Sequence, residues 1–502
     1  MLPRLSSSIS IAPTNDAAPS AGIVHLGLGN FHRAHEAVYT HAAIAAEGGD
    51  WGIIGVSSRS DEIPKAMHAQ DMLYTVVEIS PEGSRFSIPQ VHRDAFVAAD
   101  DPQRVISAIG DVGTKIVSLT VTENGYNYSP ATGLLNGQDP SVQHDLAHRS
   151  TPRTPIGQIV RGLQQRAGTH GEPITVLSCD NLADNGHHTQ RLVREFATML
   201  PSNEAAEIVA WIDAYVSFPS SMVDRIVPAT TDHYRDLVSA QCGYRDLIPV
   251  PAEPFSMWIM EDNFIAGRPA WEAGGAIFSN EVSAYEQLKV RLLNGTHSLI
   301  AYLGALSGAA TIPQAVTQPQ IETAARTVLR DEYLPSVSVP KGVDVQAYEE
   351  QLFSRWQNTA LGHRTSQVGS DGSVKLRQRI PIPALQMLER GQMPHLLALT
   401  VAGYLSCIAP LNGFDPGVQA KAMEDPARKL LAGLASRAHS GQEFAEIVLR
   451  DNKLLGVRLA ESTDFIKRTG ALVDVIQGAG PFAAISEATN AAVRRLAPYS
   501  HS

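Results

Sequence analysis

At 502 residues, 44% hydrophobic and 18% charged, the chain is longer than one hydrophobic core usually serves and too apolar for extended disorder. A formal charge of −11 with no long Lys/Arg block excludes the phosphate backbone of a nucleic acid as a partner. Cys179, Cys242 and Cys407 lie far apart and form no CxxC or His-spaced pattern, which fits reduced thiols in a cytoplasmic protein and offers no metal-ligand set.

Residues 1–22 are Ser-rich, carry a single Arg and lack the apolar run of a signal peptide or membrane span, so a mobile tail is expected there. GIVHLGLG (22–29) is then a short apolar run ending in glycines, followed by the helix-compatible HRAHEAVYTHAAIAAEGG and by WGIIGV (51–56), which together make a βαβ unit. KIVSLTV (115–121) and ITVLS (174–178) are further buried-strand candidates, and RTPIGQIVRGLQQRAG places Pro155 in the first turn of a helix. Alternating α and β segments imply a parallel sheet, hence a Rossmann-type α/β domain over 23–284. From 285 to 502 the texture changes to helical runs such as QLKVRLLNGTHSLIAYLGALSG and HLLALTVAGYLSCIA, predicting a mostly α-helical second domain.

Gly27 and Gly29 sit where the first strand turns into a helix, where glycines let the backbone approach a pyrophosphate held by helix N-terminal amides. The third glycine of the usual fingerprint is absent, since position 32 is His, and a plain tight turn is the competing reading. After the second strand comes SSRSDE (57–62), where Asp61 and Glu62 can accept the ribose hydroxyls of NAD and repel a 2′-phosphate. Pairing of Arg59 with such a phosphate, or a solvated polar loop with no ligand, are the alternatives. At about 100° per residue of α-helix, Asn294 falls about 140° and His297 about 80° round from Lys289, so an amine, an amide and an imidazole can share one face. Such a set can shuttle a proton and polarise an oxygen, although a surface Lys, a helix-capping Asn and a core His would write the same pattern. SCDNLADNG (178–186), at a strand carboxyl end where ligands of open α/β sheets gather, adds Asn181 to that chemistry.

The blocks GLGNFHRAHEAVYT, SLTVTENGY, SCDNLADNG, FPSSMVDRIVP, EPFSMWIMEDNFIAGRPAWE, KVRLLNGTHSLIAYLG and DGSVK resemble, in order from about residue 22 to at least 410, the signatures of the mannitol dehydrogenase family of polyol-specific long-chain dehydrogenases. In that resemblance GxGxFHR is the family's own cofactor turn, bringing in Asn30 and Phe31, and the missing glycine is no objection. It also implies metal-free catalysis with Lys289 as general base, Asn181 and Asn294 stabilising the alkoxide, and His297 positioning the substrate, with Asp224 and Lys375 at substrate-contacting positions. Gln367 stands where mannitol-oxidising relatives usually carry Arg, and HRTSQVGSDGSVKLRQR is more similar to the fructuronate reductase (D-mannonate oxidoreductase) branch. A uronate carboxylate needs a cationic or amide-rich pocket, for which Arg364 and Lys375 are the candidates. A mannitol 2-dehydrogenase or D-arabinitol dehydrogenase is the alternative. The expected partners are NAD and a small sugar acid or polyol, with no nucleic acid and no membrane, and the family resemblance implies a monomer.

Overall fold

The computed structural model describes residues 2–9, 19–129 and 132–496, and the chain divides into two compact units, Met1–Ser283 and Ala284–Ser502. The first is built on six strands, β1 (Ala21–Leu26), β2 (Gly52–Ser57), β3 (His92–Val97), β4 (Ile116–Leu119), β5 (Ile174–Ser178) and β6 (Val216–Ser217). They pair in parallel in the order β3-β2-β1-β4-β5-β6. Strand order reverses between β1 and β4, and in doubly wound sheets the crevice at that reversal takes the dinucleotide.

The apolar runs at β1, β4 and β5 exist because both faces of the sheet are covered. Val24, Leu26, Val117, Leu119 and Val176 pack on Ile159, Leu163, Leu192 and Phe196 of one helical layer. Ile23, Ile53, Ile116 and Leu177 face Ala37, Tyr39, Ile44, Trp258 and Trp271 on the other side. Fully burying one such side chain contributes roughly 1.5–3 kcal/mol. The helix Pro155–Ala167 begins as its sequence requires, with Pro155 in the first turn and the Thr154 hydroxyl accepting from the Gly157 amide at 3.0 Å.

Three local findings depart from expectation. The helix after β1 is broken, running Asn30–Ala34 and then Glu36–Glu47, because the buried His35 between them is turned onto the Phe31 ring at 4.8 Å and the Met257 carbonyl at 3.1 Å. β3 (HRDAFV) and two accessory three-stranded sheets, one of Val76–Ser80, Gly83–Ser87 and Val250–Ala252, the other of Ser221–Asp224, Met257–Met260 and Ile277–Phe278, add strands beyond those expected. The expected mobile stretch over 1–22 is corrected at both ends. Residues 2–9 dock on the first unit, where Leu5 is fully buried with its amide on the Arg245 carbonyl at 2.9 Å, and Ser7 donates twice to Asp71, while Ala21 already belongs to β1. Residue 1 and residues 10–18 of that stretch lie outside the described residues.

The described residues of the second unit form helices and no sheet. Thr296–Leu306 and His395–Ile408 are buried on nearly every side, which suits their near-continuous apolar sequence, and they pack with Thr463–Ala479 in one core. Three stretches, Lys289–Gly295, Val328–Tyr333 and Glu446–Asp451, are wound as π-helix. Among the described residues all three cysteines are free thiols, and no helix is long and apolar enough to cross a membrane.

Candidate active site

The turn after β1 is held by backbone geometry that only glycine supplies at position 27. Gly27 has φ +106°, its amide donates to the Val56 carbonyl at 2.9 Å, and a Cβ there would run into the Thr120 carbonyl oxygen at the end of β4. Gly29 precedes the helix Asn30–Ala34, and a Cβ on it would meet nothing closer than the Gly27 oxygen at 3.7 Å. The open space at Gly29 is what a pyrophosphate approaching the turn would need, and the residues present fit a dinucleotide. Asn30 turns its side chain inward, donating to Pro228 and Thr230 and accepting from Arg33 at 2.6 Å, so only its backbone faces the turn. Phe31 stays partly exposed with its ring stacked on His35.

At the carboxyl end of β2, the Ser57 hydroxyl donates to the Ser60 carbonyl at 2.6 Å and shapes the loop that presents Arg59, Asp61 and Glu62, all exposed. Asp61 pairs with Lys65 one helical turn on, and the Lys65 hydrogen bond and then its charge hold the carboxyl below its ordinary value. Glu62 opens the helix Glu62–Ala69, and Arg59 makes no ion pair among the described residues.

Asn181 follows β5 on an exposed loop. The loop is fixed from below by Asp180, whose carboxylate accepts the amides of Val121 and Thr122 at 2.9 Å each and the Tyr126 hydroxyl at 2.9 Å. Burial raises the Asp180 pKa, and those three hydrogen bonds offset part of the rise. Asn185 completes the clasp by donating to the carbonyls of Asp180 and Ser221 and accepting the Ser221 amide, which ties the loop to the strand Ser221–Asp224 that ends on the buried Asp224. Nothing in the spacing of SCDNLADNG distinguishes the two supporting side chains from Asn181.

In the second unit Lys289 and Asn294 both lie in the π-helical stretch Lys289–Gly295 and His297 in the α-helix that continues it. The expectation of a shared face used α-helical geometry, whereas in a π turn the residue five along is the neighbour one turn up, so Asn294 comes round toward Lys289. Lys289 and His297 are buried and Asn294 is half-buried. The His297 ring lies 5.1 Å from His363 and 6.0 Å from Trp356, and its Nε2 has no partner among the described residues. Burial first, then the charges of His363, Arg379, Arg355 and Lys375, hold His297 well below its ordinary value. Burial, then Lys375 and Arg355, bring His363 down to about 4.

Lys375, half-buried on the helix Gly372–Arg379, donates to the Ser370 carbonyl at 2.7 Å, and burial followed by the Arg379 charge lowers it to about 8. Arg379 donates to the Asn294 carbonyl at 3.0 Å and the Ser298 hydroxyl at 2.7 Å. Neither forms an ion pair among the described residues. Arg364 is exposed, just before the helix Thr365–Gly369, and likewise makes no ion pair among them. Arg379, a member of this cationic group, and His363, a neutral ring beside it, are not singled out by spacing alone, although both stand in the HRTSQVGSDGSVKLRQR stretch.

One cluster among the described residues has metal-ligand composition, His25, His32 and Glu36 in the first unit. Its contacts are internal: the two rings are stacked with centroids 3.5 Å apart, and both Nδ1 atoms lie on the same carboxylate oxygen, at 2.9 and 3.0 Å.

The Mannitol dehydrogenase Rossmann domain family matches residues 21–273 and the Mannitol dehydrogenase C-terminal domain matches residues 281–476. The chain is 40% identical to the D-mannonate oxidoreductase of Escherichia coli (strain K12), over 88% of this chain and 90% of that protein. It is 37% identical to the mannitol 2-dehydrogenase of Cereibacter sphaeroides, over 90% of this chain and 95% of that protein. Among solved structures, the Pseudomonas fluorescens mannitol 2-dehydrogenase ternary complex with NAD and D-mannitol is similar with a TM-score of 0.82 and 33% identity, covering 93% of this chain and 94% of that one.

Proposed function

The chain belongs to the mannitol dehydrogenase family and is an oxidoreductase acting on CH–OH groups of polyols or sugar acids, and from that premise we propose that it is an NAD-dependent fructuronate reductase, interconverting D-mannonate and D-fructuronate. Bound NAD supplies the hydride carrier. In reduction the Lys289 ammonium gives its proton to the carbonyl oxygen, and in oxidation the neutral amine takes it back. Asn294 and Asn181 donate hydrogen bonds to the oxygen as negative charge develops on it. His297, kept neutral by burial and neighbouring cations, orients the substrate through a hydrogen bond without adding charge. Asp224 is assigned to a substrate hydroxyl.

The observation that carries the uronate reading is the group of cations around His297 and His363. Lys375 and Arg379 lie there with no carboxylate in ion-pair contact among the described residues, Asp371 and Asp425 acting on Lys375 only from farther off. Charges held in part out of water without a contacting counter-ion are costly, and a substrate carboxylate supplies one. Rates of NADH oxidation with fructuronate, tagaturonate, fructose and xylulose test the assignment. Preference for fructuronate supports it, and vigorous turnover of fructose with none of fructuronate hands the chain to the mannitol 2-dehydrogenase reading.

A further inference from the structure

Beneath the point where strand order reverses, the first unit buries four ionisable side chains that the reaction does not use. His25 on β1, His32 and Glu36 on the two helices after it, and His92 on β3 are each at most 3% exposed. Glu36 Oε2 is the hub, with His25 Nδ1 at 2.9 Å, His32 Nδ1 at 3.0 Å and the Ser118 hydroxyl donating at 2.9 Å, and Ser118 Oγ also lies 2.8 Å from His25 Nδ1. A carboxylate only accepts, so both imidazoles present N–H at Nδ1. That choice propagates outward. His32 Nε2 lies 3.0 Å from His92 Nε2, and with the His32 proton on Nδ1 it is His92 that donates, leaving His92 Nδ1 as a bare lone pair, the atom that has no partner. Burial lowers His32 to about 4 and His92 well below its ordinary value, as two neutral rings in this arrangement require.

The other end of the network reaches the cofactor turn. With its proton on Nδ1, His25 Nε2 only accepts, and it lies 2.8 Å from the Thr120 hydroxyl, whose single proton also has the Gly27 carbonyl 2.8 Å away; Nε2 is 3.2 Å from that carbonyl oxygen and makes no hydrogen bond to it. These contacts join the carboxyl ends of β1 and β4, the two strands flanking the crevice. The Gly27 carbonyl also accepts the Gly29 amide at 2.7 Å, so anything that fixes Gly27 fixes the glycine that leaves room for the pyrophosphate. The residues directly after Thr120, Val121 and Thr122, are the ones whose amides Asp180 holds.

We propose that His25, oriented by Glu36, is a positioning residue for the dinucleotide turn, and that its Nε2, accepting from the Thr120 hydroxyl, sets the Thr120 side chain beside the Gly27 carbonyl in the conformation that receives the cofactor. The inference rests on the reading that NAD binds at Gly27–Gly29. A merely structural role would be discharged at Nδ1, which meets Glu36 Oε2. A positioning role is discharged at Nε2, and the two ends of the ring are separable. An Asn amide reaches the place of Nδ1 and a Gln amide that of Nε2, so His25→Asn keeps the link to Glu36 and Ser118 while His25→Gln keeps the link to Thr120.

The experiment measures NADH dissociation constants by fluorescence and melting temperatures for the full chain and its variants. His25→Asn is expected to weaken NADH binding about tenfold or more, a change on the order of one lost hydrogen bond, and His25→Gln to bind within about threefold of the unmodified chain on the same scale. Thr120→Val should weaken binding comparably to His25→Asn, with the double variant little worse than either alone, because they remove one interaction. Should His25→Asn bind NADH normally while only the melting temperature falls, the proposal is overturned. Additive losses in the double variant overturn it too, as does a stoichiometric transition metal that is lost in His25→Asn. Failure of the unmodified chain to bind NADH refutes the cofactor reading instead, so the two failures are told apart.

Discussion

Replacing Lys375 by Met separates the charge of the proposed carboxylate site from its volume. Burial, with the Arg379 charge second, lowers this amine from 10.5 to about 8. A lowering of that size means the charged form is disfavoured by about 3 kcal/mol relative to a free lysine. A bound carboxylate offsets part of that cost, and hydrogen bonds to charged groups contribute roughly 1.5–3 kcal/mol. Lys375→Met should therefore lower kcat/KM for fructuronate by about 10- to 150-fold, each 1.4 kcal/mol being about tenfold, and change kcat/KM for fructose less than about twofold. The pH dependence has a definite sign. The cation is present below about 8 and lost above it, so in the unmodified chain the ratio of fructuronate to fructose kcat/KM should fall with rising pH through that value. Any titration of Lys289 is common to both substrates and cancels in the ratio, and in the Met variant the ratio should be flat. Equal losses on both substrates, or a ratio in the unmodified chain that does not change between pH 7 and pH 9, would refute the reasoning. A loss on fructuronate alone in Arg364→Ala, with Lys375→Met silent, would move the carboxylate to Arg364.

Lys289→Ala should reduce turnover by roughly 10²- to 10⁴-fold, the usual range for lost acid–base catalysis, with NADH affinity nearly unchanged, and near-normal turnover would remove Lys289 from the proton-transfer role. Asp61→Ala combined with Glu62→Ala should shift the ratio of NADH to NADPH efficiency toward NADPH, and an unchanged ratio would show that this loop does not read the ribose. Dialysis against a chelator should leave activity intact, since the proton carrier proposed is the Lys289 amine rather than a metal. Loss restored by zinc would overturn that. Gly27→Ala combines a positive φ with a clash on the Thr120 carbonyl and should lower stability by about 1–3 kcal/mol, with NADH binding lost in whatever folds, and normal binding would free the turn from its role.

What the sequence made legible follows from how each element is buried. β1, β4 and β5 are covered on both faces, so their apolar runs stand out, and Gly27 announces itself because no other residue tolerates its backbone. β3 was illegible because HRDAFV begins with three polar residues, and His92 goes inside only because His32 receives it, a partner sixty positions away. Leu5 looked like part of a loose tail for the same reason, since its burial depends on Arg245. Asp180 and Asn185 are as polar as Asn181, and only the amides of Val121 and Thr122 and the strand at Ser221 reveal that these two support the loop. Local pattern carries what a segment does alone. Buried polar groups are decided by distant partners.

The helix holding Lys289 shows how winding and charge are joined. In α-helical geometry Asn294 would lie about 140° from Lys289, whereas a π turn brings it one turn above, so a shared direction for amine and amide depends on the irregular winding. Such a turn persists only where its surroundings over-determine it. Here Gly295 packs so closely on the Tyr333 ring that a Cβ would collide with it, and Tyr333 ends the second π stretch, Val328–Tyr333. The Asn294 carbonyl, within the irregular ladder, accepts from Arg379 at 3.0 Å and from the Ser298 hydroxyl at 3.2 Å. Arg379 thus satisfies the backbone where the winding changes and supplies charge to the group around His297. The proposed anion site and the orientation of the amide proposed to polarise the oxygen consequently share one side chain, which is why a substitution at Arg379 cannot be read as a change in charge alone.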